Sequence, residues 1–120
     1  MATRLEKLVL REGNKSDFPK RGDEVAMHYT GWLYAAGKPN NRGEKFDSSD
    51  GRGDFKTRIG VGRVIQGWDE GVPTMSLGER AILTIPGPMA YGSRGFPGLI
   101  PPNSTLIFEV ELKGINGRRA

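Results

Sequence analysis

The chain has 120 residues, 18 basic against 14 acidic for a formal net charge of +4, no cysteine and one histidine. That inventory excludes thiol catalysis, cysteine metal sites and multi-histidine metal sites. Eighteen glycines and eight prolines suit several short strands in a single domain, residues 1–120, with one core.

In chain order, Leu5, Leu8 and Leu10 mark an opening strand, and Phe18-Pro19-Lys20-Arg21-Gly22-Asp23 is a turn into a strand from Val25 to Tyr34. The period of two puts Val25, Met27 and Tyr29 on one face and Ala26, His28 and Thr30 on the other. Residues 35–43 are loop by composition. Phe46-Asp47-Ser48-Ser49 resumes a strand, residues 50–54 form a second loop, and Phe55 to Ile59 is again a strand. The run Val64-Ile65-Gln66-Gly67-Trp68-Asp69-Glu70-Gly71 turns from apolar to acidic and predicts a short helix from Ile65 to Gly71. There Gly67 is expected to let the backbone turn tightly, and Trp68 to put its face between helix and sheet, as core or as the floor of a site. Arg80 to Ile85 is a strand that Pro86-Gly87-Pro88 ends. A long loop carries Tyr91, Phe96-Pro97 and Ile100-Pro101-Pro102, and the final strand, Leu106 to Lys113, buries Leu106, Phe108, Val110 and Leu112. The whole predicts an α+β fold in which one short helix closes the apolar face of an antiparallel sheet.

Few chemistries survive. His28 has no Gly-x-Ser-x-Gly serine to serve and reads as a structural, hydrogen-bonded residue. Gly60-Val61-Gly62-Arg63-Val64-Ile65 begins like a dinucleotide fingerprint but lacks its last glycine. The basic residues are scattered, which reads as a solvated surface rather than a nucleic-acid footprint. No apolar run is long enough for a membrane span, and a chain without cysteine suits the cytoplasm. Arg52-Gly53-Asp54, Asn14-Lys15-Ser16 and Asn103-Ser104-Thr105 read as turns rather than adhesion or glycosylation motifs. The enzyme classes left need neither nucleophile, metal nor cofactor.

Five short motifs follow one another: His28-Tyr29-Thr30-Gly31, Lys45-Phe46-Asp47-Ser48-Ser49, Val64-Ile65-Gln66-Gly67-Trp68, Ala90-Tyr91-Gly92 and Ile100-Pro101-Pro102. In this order the chain, from about Phe18 to Leu112, resembles the small single-domain FKBPs, immunophilins that bind tacrolimus and rapamycin. The resemblance implies five or six antiparallel strands wrapped on one short helix, and peptidyl-prolyl cis/trans isomerase (rotamase) activity of the kind used in protein folding. It also implies an apolar pocket floored by Trp68 and walled by Tyr29, Phe46, Phe55, Val64, Ile65, Ile100 and Phe108, with Asp47, Tyr91 and the Ile65 N–H as polar groups. Of these, Asp47, Tyr91, Trp68, Phe46, Tyr29 and Phe108 are the expected catalytic set, and Phe96 and Leu99 join the binding residues at the rim. The loop between Leu33 and Phe46 is longer than in small family members, and Phe96 stands where histidine is often found.

The implied partners are proline-containing polypeptides, tacrolimus, rapamycin and, through the drug, calcineurin or the TOR kinase, with Arg52, Phe96 and Leu99 at the edge of the composite surface. A non-catalytic module that docks proline segments or drug-like ligands would use the same walls. Asp47 has two readings, bracing through Tyr29 and Arg52 or acting directly on the twisting amide. The chain is expected to be a monomer or a weak self-associator, the latter if Phe96-Pro97 enters a second molecule's pocket.

Overall fold

The structure, a computed structural model, describes residues 4–120. Its strands are β1 (Glu6–Arg11), β2 (Glu24–Tyr34), β3 (Arg42–Ser48), β4 (Phe55–Arg58), β5 (Arg80–Ile85), β6 (Leu106–Ile115) and β7 (Arg118–Arg119), and its helix is α1 (Gln66–Gly71). The sheet runs β1-β5-β6-β2-β3, antiparallel throughout, with β4 also on β2 and β7 on β6. This is the expected antiparallel sheet on one helix, with the two-residue β7 as its seventh strand.

The edge beyond β2 positions the site. Residues Glu24–Met27 of β2 pair with β4, and Thr30–Tyr34 pair with β3. Between them residues 49–54 leave the sheet, and the ladder is completed by a side chain, the Tyr29 N–H donating to Ser49 Oγ at 2.9 Å. The excursion carries Arg52 back towards the end of β3.

Alternation in β2 and β6 does what the period of two predicts. Val25, Met27, Leu106, Val110 and Leu112 are fully buried, and Tyr29 and Phe108 nearly so. Ile107, on the opposite face, is also buried, beside Tyr34, Asn40 and Asn41.

Three expectations are corrected. First, β3 starts at Arg42 rather than Phe46, because Arg42 lies 4.0 Å over the Trp32 ring and pairs with Glu109 at 3.0 Å, which holds polar residues in the ladder. Second, β6 runs on to Ile115, and the chain reverses at Asn116 (φ 50°) and Gly117 (φ 85°) into β7. That Asn-Gly pair is a hairpin signal visible in the sequence. Arg118 and Arg119 then bind Asp17 and Asp54 at 2.9 and 2.7 Å.

Third, Gly67 is not a turn residue: it sits inside α1 without a positive φ. A Cβ there would lie 2.5 Å from Ile85 Cγ2, so glycine is what lets the helix seat on β5. Gly67→Ala is expected to destabilise the protein by about 1–3 kcal/mol through overpacking, read from the denaturant midpoint. An unchanged midpoint would show that α1 can lift from the sheet without cost.

Candidate functional site

A short helix on a twisted sheet leaves a gap where its first turn meets β2 and β6. Trp68 fills the bottom of that gap, 5% exposed. Its ring is met edge-on by Tyr29 at 4.9 Å, Phe108 at 5.0 Å and Phe55 at 5.8 Å between centroids. Edge-to-face packing of this kind adds to area burial and fixes ring orientation. Phe46 continues the wall against Phe108 at 5.5 Å. Gly31 allows that contact, since a Cβ there would lie 2.7 and 2.8 Å from the two rings.

Above the indole is a cavity of about 260 Å³ lined by Tyr29, Phe46, Asp47, Phe55, Arg63, Val64, Ile65, Trp68, Tyr91 and Phe108. Nine of the expected site residues therefore converge from β2, β3, β4, α1, β6 and the loops around them. Phe96, Leu99 and Ile100 do not line it. Residues 96–100 close on themselves, the Phe96 and Ile100 N–H groups each donating to the other's carbonyl at 2.8 Å. Ile100 is thereby turned into the core, 4% exposed, while Phe96 and Leu99 stay exposed and Phe96 meets the Tyr91 ring at 6.0 Å. Arg63 is the lining residue that the sequence reading missed. Its place just ahead of Val64-Ile65 was the available signal.

The pocket's polar groups are few and mostly committed. Asp47 accepts from the Tyr29 hydroxyl at 2.7 Å, the Ser48 N–H at 2.8 Å and Arg52 at 2.9 Å. Arg52 also donates to the Ser48 carbonyl at 2.6 Å. Burial, followed by the hydrogen bond to Asp47, pushes the Tyr29 phenol up to about 12, so it stays protonated and donating at neutral pH. Burial and then the Asp47 charge raise Tyr91 as well. Among the described residues, nothing accepts from the Ile65 N–H, which lies at the start of α1. The Trp68 Nε1 is likewise buried without a partner among the described residues.

His28 lies on the other face of β2 and is structural in its contacts. Its Nδ1 meets Ser49 Oγ at 2.6 Å and its Nε2 meets Asp50 at 2.8 Å. Ser49 is buried and already accepts the Tyr29 N–H, which leaves its oxygen no approach for a substrate. The turn expected at residues 52–54 lies just ahead of them, at Asp50 and Gly51, where the Arg52 N–H donates to the Ser49 carbonyl at 3.0 Å, and Arg52 and Asp54 are each bound to another side chain. A larger depression of about 580 Å³ lies over β1, β5 and the 34–41 segment, lined by Glu6, Lys7, Tyr34 and Asn41 among others. It lacks converging aromatic rings, so size does not make it the site. No cluster of histidine, aspartate or glutamate among the described residues is arranged to hold a metal ion. No helix among them is long and apolar enough to cross a membrane.

An aromatic pocket between a wrapped antiparallel sheet and one short helix defines a class, and the family model for FKBP-type peptidyl-prolyl cis-trans isomerase matches residues 15–113. The chain belongs to this family and is a prolyl cis/trans isomerase. It is 59% identical over 117 residues to a peptidyl-prolyl cis-trans isomerase of Schizosaccharomyces pombe, covering 97% of this chain and 98% of that one. It is 62% identical over 109 residues to FK506-binding protein 1A of Aspergillus fumigatus, 90% and 91% of the two chains. FK506-binding protein 1 of Saccharomyces cerevisiae is 60% identical over 105 residues, 87% and 86%.

Proposed function

We propose that the pocket above Trp68 is where the isomerisation occurs, with the proline ring on the indole and the preceding carbonyl turned towards the Tyr29, Phe46 and Phe108 rings. The carrying observation is that the Tyr29, Phe108 and Phe46 rings pack around an apolar floor while both oxygens of the carboxylate beside it already accept hydrogen bonds from the protein. Rotation about a peptide bond costs about 18–20 kcal/mol because the C–N bond loses its resonance. The twisted amide is less polar than the planar one, so a pocket offering its carbonyl few strong donors favours the transition state over the ground state. Ring-edge hydrogens supply only weak contacts to the turning oxygen. The Tyr91 hydroxyl and the Ile65 N–H hold the flanking backbone, and no covalent or proton-transfer step is needed.

The test is magnetisation exchange on a Xaa-Pro peptide with an apolar residue before proline. Exchange faster than background, and slowed when the pocket is filled by tacrolimus, is expected. Background exchange at high protein concentration would reject the site.

Three relatives carry FK506 in their names or share that name, which supports tacrolimus binding in the same pocket. Rapamycin is placed there too, its pipecolyl ring on Trp68 as a proline mimic. With either drug bound, the exposed Arg52, Phe96 and Leu99 are proposed to edge a surface for calcineurin or the TOR kinase. A cytoplasmic location in protein folding belongs to the same reading, suggested by a chain without cysteine. Phe96, half exposed beside Pro97 on a turn with Gly95 at φ 64° and Gly98 at φ 78°, is also offered as a weak substrate to a second molecule. Sedimentation should then find weak dimers that tacrolimus and Pro97→Gly abolish, and a monomer at millimolar concentration would leave the turn a rim element only.

A further inference from the structure

Among the described residues, the carboxylates near the pocket each have a hydrogen-bond partner of their own. Asp47 is held by Arg52, and Asp54, on the adjoining depression that shares Tyr29, Asp47 and Phe55 with the pocket, is held by Arg119 at 2.7 Å. Asp69, the nearest acid in sequence, spends both oxygens on the Gly60 and Gly62 N–H groups at 2.7 and 2.9 Å. Glu70 accepts from Gln66 at 2.6 Å. Arg63 lines the pocket, is exposed, and has no ion pair or hydrogen bond to any described residue. The backbone ahead of it is fixed by the two Asp69 bonds and by glycines at φ 81° and 80°. Among the described residues it is therefore a cation without a direct partner, on a pinned loop at the edge of the pocket.

We propose that Arg63 is a specificity residue that favours proline segments carrying an aspartate or glutamate close to the Xaa-Pro bond. The inference rests on the pocket above Trp68 being the proline site. A guanidinium open to solvent pairs weakly and is screened by salt, so the selection is modest, about fivefold between acidic and basic segments at low ionic strength.

The test uses peptides Ala-Xaa-Leu-Pro-Phe-Yaa-Ala with Glu, Gln or Lys at Xaa or Yaa, and NMR exchange rates with the wild-type protein, Arg63→Gln and Arg63→Glu. The reading is the ratio of kcat/KM for the Glu and Lys peptides within each protein. In the wild type the ratio should be about fivefold at one of the two positions and shrink in about 0.5 M salt. It should fall towards one in Arg63→Gln and invert in Arg63→Glu. A ratio of one in the wild type at both positions, or the same ratio in all three proteins, would overturn the proposal. No catalysis even of the Gln peptide by the wild type would instead overturn the pocket reading beneath it.

Discussion

Replacing Trp68 with leucine is expected to weaken tacrolimus binding by more than about 1 kcal/mol, the largest single effect on affinity that the pocket offers. An indole presents a large flat face, and a leucine in its place offers less area at about 25 cal/mol per Å². The loss is compounded by the neighbours. Tyr29, Phe55 and Phe108 all pack T-shaped against that ring, so its removal frees three walls to relax into the space the ligand would fill. Some stability is lost too, because Trp68 belongs to the core as well as to the pocket floor. Calorimetric titration at a temperature where the variant is folded separates the two effects. Unchanged affinity in a folded variant would reject the placement of the drug's ring on Trp68.

Asp47→Ala is expected to lower kcat/KM by about tenfold, about 1.4 kcal/mol, and Asp47→Asn by clearly less. Both carboxylate oxygens are engaged within the protein, one by the Tyr29 hydroxyl and the other by the Ser48 N–H and Arg52. An asparagine keeps the shape and part of that bonding but not the charge. Bracing therefore predicts partial rescue by asparagine, whereas direct action on the amide predicts two equally poor variants. The Tyr29 phenol provides a second readout, which reports in each variant whether its bond to residue 47 survives. Its titration, pushed up to about 12 by burial and then by the bond to Asp47, should fall in Asp47→Ala as the Asp47 contributions vanish and burial remains. If Asp47→Asn loses as much activity as Asp47→Ala while keeping the raised Tyr29 titration, the bracing account fails.

Much of this was written in the chain. The period of two is a steric consequence of the strand, so it puts Val25, Met27 and Tyr29 on one face of β2 and makes Leu106, Phe108, Val110 and Leu112 the buried face of β6; the structure buries both sets. Pro86 ends β5 where a strand loses its donor, and β5 itself was read to the residue. The five ordered motifs pointed to the family, and they contain seven of the nine expected residues that line the pocket, Phe55 and Phe108 lying outside them. The strand periods and the strand end are local, because each depends on neighbours in sequence, whereas the pocket residues came from the resemblance.

What tertiary structure decided depends on neighbours in space. Gly67 looked like a turn and is a contact, since only the approach of Ile85 from β5 forbids a side chain there. Arg42 looked like loop and is strand, because Trp32 and Glu109 lie across the sheet from it. Ile100, expected as a pocket wall, lies in the core outside the lining of the cavity above Trp68, on a 96–100 turn that bonds to itself. Arg63 became conspicuous only once every nearby carboxylate had found another partner. The sequence alone determined the fold class and the family. Which charges cancel, and which glycine makes room, follow from packing, whose distances no local pattern encodes.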